Sequence, residues 1–307
     1  METLFVPLAL VAGSLLAVQA GANAQLSKAV GSPFAATTLQ LSIGTALLLI
    51  IAMFTGSHTV LGAIPDAEWW HLVGGTASAV YVVSTIVLFP RLGAVVSVGL
   101  FIAGQMLASL TLDGFGLLGV TATGLQAGAA IGTVIVLVGV GLIVFGQGGQ
   151  DNLSADKLGW IALALVAGAA LPVQGAVNAL LRQDLGGAPF AVGTISFFVA
   201  TLAMAAVMLV ALAWQKTPRP SFGGVQTMPW WGWLGGLAGA TYVTTVFTAI
   251  PVIGAAAAVG FTVAGQQVAS VFVDRYGWFR LPQRPVSGLR LAGVVLLLVG
   301  VAVIKLV

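Results

Sequence analysis

The sequence predicts an all-α integral membrane protein, with ten transmembrane helices arranged as two inverted five-helix repeats. Three observations predict it. Hydrophobic residues make up 59% of the 307 and charged residues only 6%, against about 25% charged in a soluble domain. The apolar residues fall into ten stretches long enough to cross a bilayer. The chain also states nearly the same pattern twice. VQAGANAQLSKAV at 18–30 is answered by VQGAVNALLRQDL at 173–185, and GQMLASLTLDGFG at 104–116 by GQQVASVFVDRYG at 265–277.

A helix needs about 20 apolar residues to span the hydrocarbon core. The qualifying stretches are 3–24, 33–54, 69–89, 92–111, 125–146, 158–181, 190–214, 231–250, 252–273 and 288–306. Strands do not fit, because the runs are too long and lack in/out alternation. Pro90-Arg91-Leu92-Gly93 and Pro251-Val252-Ile253-Gly254 read as hairpins, with proline ending one helix and glycine making the turn. The first stretch is followed by Ala22-Asn23-Ala24, which resembles a cleavage site, but Met-Glu-Thr supplies no basic n-region, so it is read as a retained span. The five-helix units are expected at 1–150 and 151–307.

The repeats align by polar and special residues. Gln19 pairs with Gln174, Asn23 with Asn178, Pro33 with Pro189, and Trp69-Trp70 with Trp230-Trp231. Tyr81 pairs with Tyr242, Pro90 with Pro251, Gln105 with Gln266, Asp113 with Asp274, and Gly139 with Gly300. Five spans per unit put the second unit in the opposite orientation to the first, the inverted repeat of many secondary transporters. Loops after the odd-numbered spans carry Lys28, Arg91, Lys157, Lys216, Arg219, Arg275, Arg280, Arg284 and Arg290. The other face holds Arg182 and Lys305. The basic face is expected to be cytoplasmic and both termini outside.

Polar groups inside hydrocarbon mark function more often than in soluble cores. Gln19 and Asn23 lie four apart on one helix face, and Gln174 and Asn178 repeat them. Gln105 and Gln266 sit mid-span beside Gly104 and Gly265, and Tyr81 and Tyr242 lie in spans three and eight. These eight are the candidate solute-binding residues. Amides donate and accept hydrogen bonds, which suits a polar or zwitterionic solute more than a simple cation. Equally, Gln and Asn bond across helix interfaces simply to hold bundles together. Gln267, opposite Met106, is a weaker candidate.

Other residues read structurally. The tryptophans at 69, 70, 230, 231 and 233 fit an interfacial aromatic belt. Asp113 and Asp274 close spans four and nine and suit capping or salt bridging better than proton coupling. Gly128/Gly132 and Gly235/Gly239 have the small-xxx-small spacing of close helix contact. His58 and His71 are too far apart in the sequence to suggest a metal site. No span carries a carboxylate near its centre. Walker-type, GxSxG and HExxH patterns are absent, so no enzyme reading and no cofactor are supported. The expected partners are a small-molecule solute and membrane lipid, not nucleic acid, and a homodimer is compatible.

The pattern Gln-x-x-x-Asn-x-x-Leu, then Gly-Ser-Pro-Phe-Ala-Ala or Gly-Gly-Ala-Pro-Phe-Ala, then Gly-Gln in a later span, resembles the YdcZ-like branch of the drug/metabolite transporter superfamily. The resemblance covers nearly the whole chain, once per half, as a fused two-repeat form. It implies the ten-helix fold of that superfamily and an inner-membrane exporter with a cavity between the halves. The motif residues that carry over are Gln19, Asn23, Pro33, Gln174, Asn178 and Pro189. Small multidrug relatives use a glutamate in the first span, and this sequence has none there. The favoured expectation is a secondary transporter, an exporter of a small polar or amphipathic metabolite working by alternating access. A non-transporting membrane scaffold and a lipid flippase are the alternatives.

Overall fold

The computed structural model describes residues 2–92, 94–146, 157–283 and 285–306. Among these there is no strand. The spans are α1 (Glu2–Val30), α2 (Pro33–Phe54), α3 (Trp69–Leu72) continued by α4 (Thr76–Leu92), α5 (Ala94–Phe115) and α6 (Ala127–Gly146) in the first half. The second half holds α7 (Leu158–Asp184), α8 (Pro189–Ala213), α9 (Leu234–Ile253), α10 (Ala255–Tyr276) and α11 (Gly288–Leu306). Among the described residues nine helical stretches are long and apolar enough to cross a membrane, and the apolar stretch Gly288–Ile304 of α11 is slightly shorter. The expected 150/151 junction, Gly93 and Arg284 lie outside the described residues.

Local chemistry sets the helix ends. Ser32 caps α2, its hydroxyl accepting from the Ala35 N–H at 3.4 Å, and Pro33 opens the helix where no N–H is needed. Pro189 opens α8 in the same way. The helices do not stop at Pro90 and Pro251 as the sequence suggests. They run on to Leu92 and Ile253. A proline in the last turn removes a single backbone bond; in the second half it is Gly254, at φ 82, that ends the helix. The first span is also longer than expected. It continues through Gln25, Ser27 and Lys28 until Gly31 takes a left-handed conformation at φ 72. The third span is broken at Val73–Gly75, where a Cβ on Gly75 would collide with the Ser196 carbonyl.

The halves are related by a two-fold operation that the helix crossings make explicit. A methyl group placed on Gly132 would stand 2.6 Å from the Gly300 carbonyl, and one on Gly139 would stand 2.7 Å from that of Gly293. As α6 advances, α11 runs backwards, so these equivalent helices cross antiparallel. In the repeat register Gly132 matches Gly293 and Gly139 matches Gly300. Each contact therefore maps onto the other, and the axis passes through the crossing. The same reciprocity appears elsewhere. Gly104 of α5 meets the Leu165 carbonyl and Gly168 of α7 meets that of Phe101. Their counterparts Gly265 of α10 and Gly13 of α1 meet Leu10 and Thr262. Thr45 and Thr201, equivalent to each other, share a hydrogen bond of 3.3 Å. An axis that exchanges antiparallel spans lies in the membrane plane, which is the inverted repeat.

Side chains turned away from these crossings are apolar and exposed, as in Ile131, Val134 and Val138 of α6 and Val295 and Val299 of α11. That surface faces lipid. Gly104→Leu should force a side chain against backbone and lower the thermal midpoint in detergent, with overpacking of this kind costing about 1–3 kcal/mol. Gly141→Leu, where a Cβ would meet open space, should leave the midpoint unchanged.

Candidate solute cavity

The candidate amides separate into seam residues and one cavity residue. Gln174 is 2% exposed and ties three helices together. Its Oε1 accepts from the Ser78 hydroxyl at 2.9 Å, and its Nε2 donates to Ser196 Oγ at 3.2 Å. Asn178 donates to the same Ser196 at 3.0 Å, and its Oδ1 is buried with no hydrogen-bond partner. In the first half Asn23 donates to Thr37 Oγ1 at 3.4 Å, and Gln19 lies against Gly239, the position matching Ser78. Gln105 is buried at 2% exposure and Tyr242 at 5%. The Tyr81 ring packs on Phe101, centroids 5.0 Å apart. Gln266 differs: it lines a cavity of about 260 Å³, together with Gln267. The other seven candidates are not among the residues lining it.

That cavity lies at the end of the bundle where α1, α5, α10 and α11 converge. Its wall is mainly apolar, with Leu16, Ala20, Val98 and Ile143 among its members. Its polar end is an ion pair. Arg290, in the first turn of α11, donates from Nη2 to Asp274 Oδ2 at 2.7 Å and to Ser270 Oγ at 3.3 Å. The Arg290 side chain is 3% exposed and that of Asp274 25%. Ser287 caps the helix, accepting from the Arg290 N–H at 3.1 Å and donating to the Gly146 carbonyl at 2.8 Å. The sequence reading counted Arg290 with the orienting loop charges. The structure places it inside the bundle, because its side chain turns from the first turn of α11 onto Asp274 and Ser270 of α10. The visible signal was its position at the edge of the tenth apolar run.

A second cavity, of about 360 Å³, occupies the opposite end of the bundle. Its lining residues Asp113, Ile250, Ala256 and Ile304 are the repeat equivalents of Asp274, Phe89, Val95 and Ile143 in the first cavity. The carboxylates behave differently. Asp113 is buried, with its two oxygens accepting from the N–H groups of Ala255 (2.7 Å) and Ala256 (2.6 Å) at the start of α10. This satisfies first-turn donors that have no partner within the helix and complements the positive end of the helix dipole. On the same end of the bundle, His71 Nδ1 lies 2.5 Å from Asp184 Oδ2, joining α3 to the end of α7.

Ten-span antiparallel architecture with cavities at both ends of the halves' interface defines a multi-pass membrane protein of the inverted-repeat transporter class. A family model described as "Putative inner membrane exporter, YdcZ" matches residues 4–142 and again 159–303. The chain therefore belongs to the YdcZ family of the drug/metabolite transporter superfamily, in its two-repeat form, and is a multi-pass inner-membrane protein. A solved structure, titled only as the crystal structure of a protein, is similar in fold at a TM-score of 0.65 and 18% identity. The match covers 98% of this chain and 95% of that one. No curated protein matches the chain.

Gln174→Ala would leave the Ser78 and Ser196 hydroxyls short of their shared amide. Interhelical hydrogen bonds in membranes average about 0.6 kcal/mol, so thermal unfolding in detergent should show a loss of about 1 kcal/mol. Gln266→Ala should change stability much less.

Proposed function

We propose that the protein is a secondary transporter that exports a small amphipathic solute by alternating access, with the solute bound in the cavity at Gln266, Gln267, Asp274 and Arg290. One observation carries the reading. Two repeat-equivalent cavities lie at opposite membrane ends, and only one of them has its carboxylate engaged on the facing helix. Asp113 ties α5 to α10, from one half to the other, at its own end. At the other end Asp274 is turned to Arg290, and the wall reaches between the halves to Leu16, Ala17 and Ala20 of α1. Two halves of one fold in opposite orientations can each adopt the other's conformation, which moves the opening to the other face.

The end that holds Asp274 and Arg290 carries Arg91, Arg275 and Arg280, the basic loops, so we read it as the cytoplasmic end, with both termini outside. The amides Gln19, Asn23, Gln174 and Asn178, with Gln105 and the tyrosines, line the seams along which the halves rearrange. In this conformation they hold helices, and Gln266 is the candidate that meets solute. A filled, dry interface would favour a scaffold instead, and the cavity beside Ala20 argues for transport.

The chain has no cysteine, which makes single reporters clean. Ala20→Cys, in the wall of the cavity at Arg290, should react with an impermeant thiol reagent only from the cytoplasmic face. Ala257→Cys, 4% exposed in the wall of the cavity at Asp113, should react slowly from outside. Adding Asp113→Ala removes a cap typically worth about 1 kcal/mol and should speed outside labelling severalfold. Unchanged labelling would rule out alternating access at this interface.

A further inference from the structure

We propose that Arg290 anchors the carboxylate of a small apolar monocarboxylate solute, and that Asp274 is its displaceable counter-ion, which on displacement caps α5 and shuts the cavity. The inference rests on the transporter reading above and adds to it the solute's chemical class.

Asp113 and Asp274 are equivalent residues in matching local backbone. Each is followed by a left-handed glycine, Gly116 at φ 64 and Gly277 at φ 63, and then by a left-handed non-glycine residue, Leu118 at φ 51 and Phe279 at φ 60. Their different partners therefore reflect what faces them. Asp113 holds the N–H groups of Ala255 and Ala256. The equivalent donors for Asp274 are those of Ala94 and Val95, the first residues of α5, and both residues line the cavity with Asp274. First-turn N–H groups have no acceptor within their own helix. Asp274 thus has two competing homes in one cavity: the guanidinium it occupies here, and the α5 terminus that repeat symmetry assigns it.

Arg290 breaks the symmetry. Its equivalent in the first half is Ala129, so the repeat pattern itself does not call for an arginine there. Arg290 is buried, and removing a carboxylate partner from a buried guanidinium is costly, so release of Asp274 is favoured when another anion takes its place. An incoming carboxylate fits the planar guanidinium fork. The solute pairs with Arg290 and brings one negative charge into the cavity, which the positive end of the α5 dipole, equivalent to about half a charge, offsets in part where it receives Asp274. Behind the ion pair the wall is apolar at Leu16, Ala17, Val98, Ile102, Val140 and Ile143, so the anionic head belongs on an apolar body. A cation would have to compete with Arg290 for Asp274.

The test uses full-length protein in nanodiscs carrying Ala257→Cys, a reporter in the outer cavity away from Arg290. Hexanoate, hexanol and hexylamine are compared by thermal midpoint and by the rate of N-ethylmaleimide modification. Hexanoate should raise the midpoint and speed modification severalfold, while hexanol and hexylamine should do neither. Arg290→Gln should lose both responses, and Arg290→Lys should retain a weakened form, which separates loss of the anchor from loss of the fold. With Asp274→Ala, hexanoate should still raise the midpoint but no longer speed modification. The proposal is overturned if no compound acts, if hexanol or hexylamine matches hexanoate, or if Arg290→Gln responds like the parent. Asp113→Ala without solute separates the two claims. If it exposes the reporter while hexanoate fails, only the solute assignment falls. If it leaves the reporter shielded, alternating access falls with it.

Discussion

Lipid tails are as apolar as leucine, so burying leucine against leucine gains little inside a bilayer. Close packing has to supply the attraction. In this chain the packing is set by glycines that allow one helix to touch another's backbone. Gly132, Gly139, Gly293 and Gly300 build the α6–α11 crossing, and Gly13, Gly104, Gly168 and Gly265 build the two crossings that join the halves. Larger residues at these positions would drive the helices apart and dissolve the two-fold relation. The cavities, the facing carboxylates and the buried arginine all take their positions from these contacts.

Symmetry at the crossings coexists with asymmetry at the ends, and the asymmetry carries the functional argument. Asp113 and Asp274 are interchangeable by fold, yet one caps a helix and the other holds an arginine. Arg290 adds to this, since the matching position in the first half is Ala129, and it gives one end of the halves' interface a chemistry the other lacks.

The seams between helices are polar in unequal measure. Gln174 is braced by Ser78 and Ser196, whereas its equivalent Gln19 meets Gly239, and the position matching Ser196 is Gln40, which donates to the Gly235 carbonyl at 3.2 Å. The repeated Gln-x-x-x-Asn motif is therefore used in both halves to hold neighbouring spans, with different partners on each side. Hydrogen bonds of this kind are individually weak in membranes, so no single one of them fixes a seam.

The ten spans, their pairing into repeats and their opposed orientation were legible in the sequence, because apolar length, an odd span count and shared Gln, Asn, Pro and Asp residues are local or strictly periodic signals. The glycine spacings around Gly132 and Gly239 pointed to close contacts, and the terminal aspartates to capping or ion pairing, since those residue types have few other uses at helix ends. The sequence could not say which aspartate would cap and which would bridge, because that depends on whether an α-helix terminus or a guanidinium stands opposite. Nor could it say that Gln266 faces open space while Gln105 is packed, or that Arg290 points inward. Repeat-equivalent residues are identical by pattern, and only three-dimensional packing, in a conformation that treats the two ends unequally, decides what each one meets.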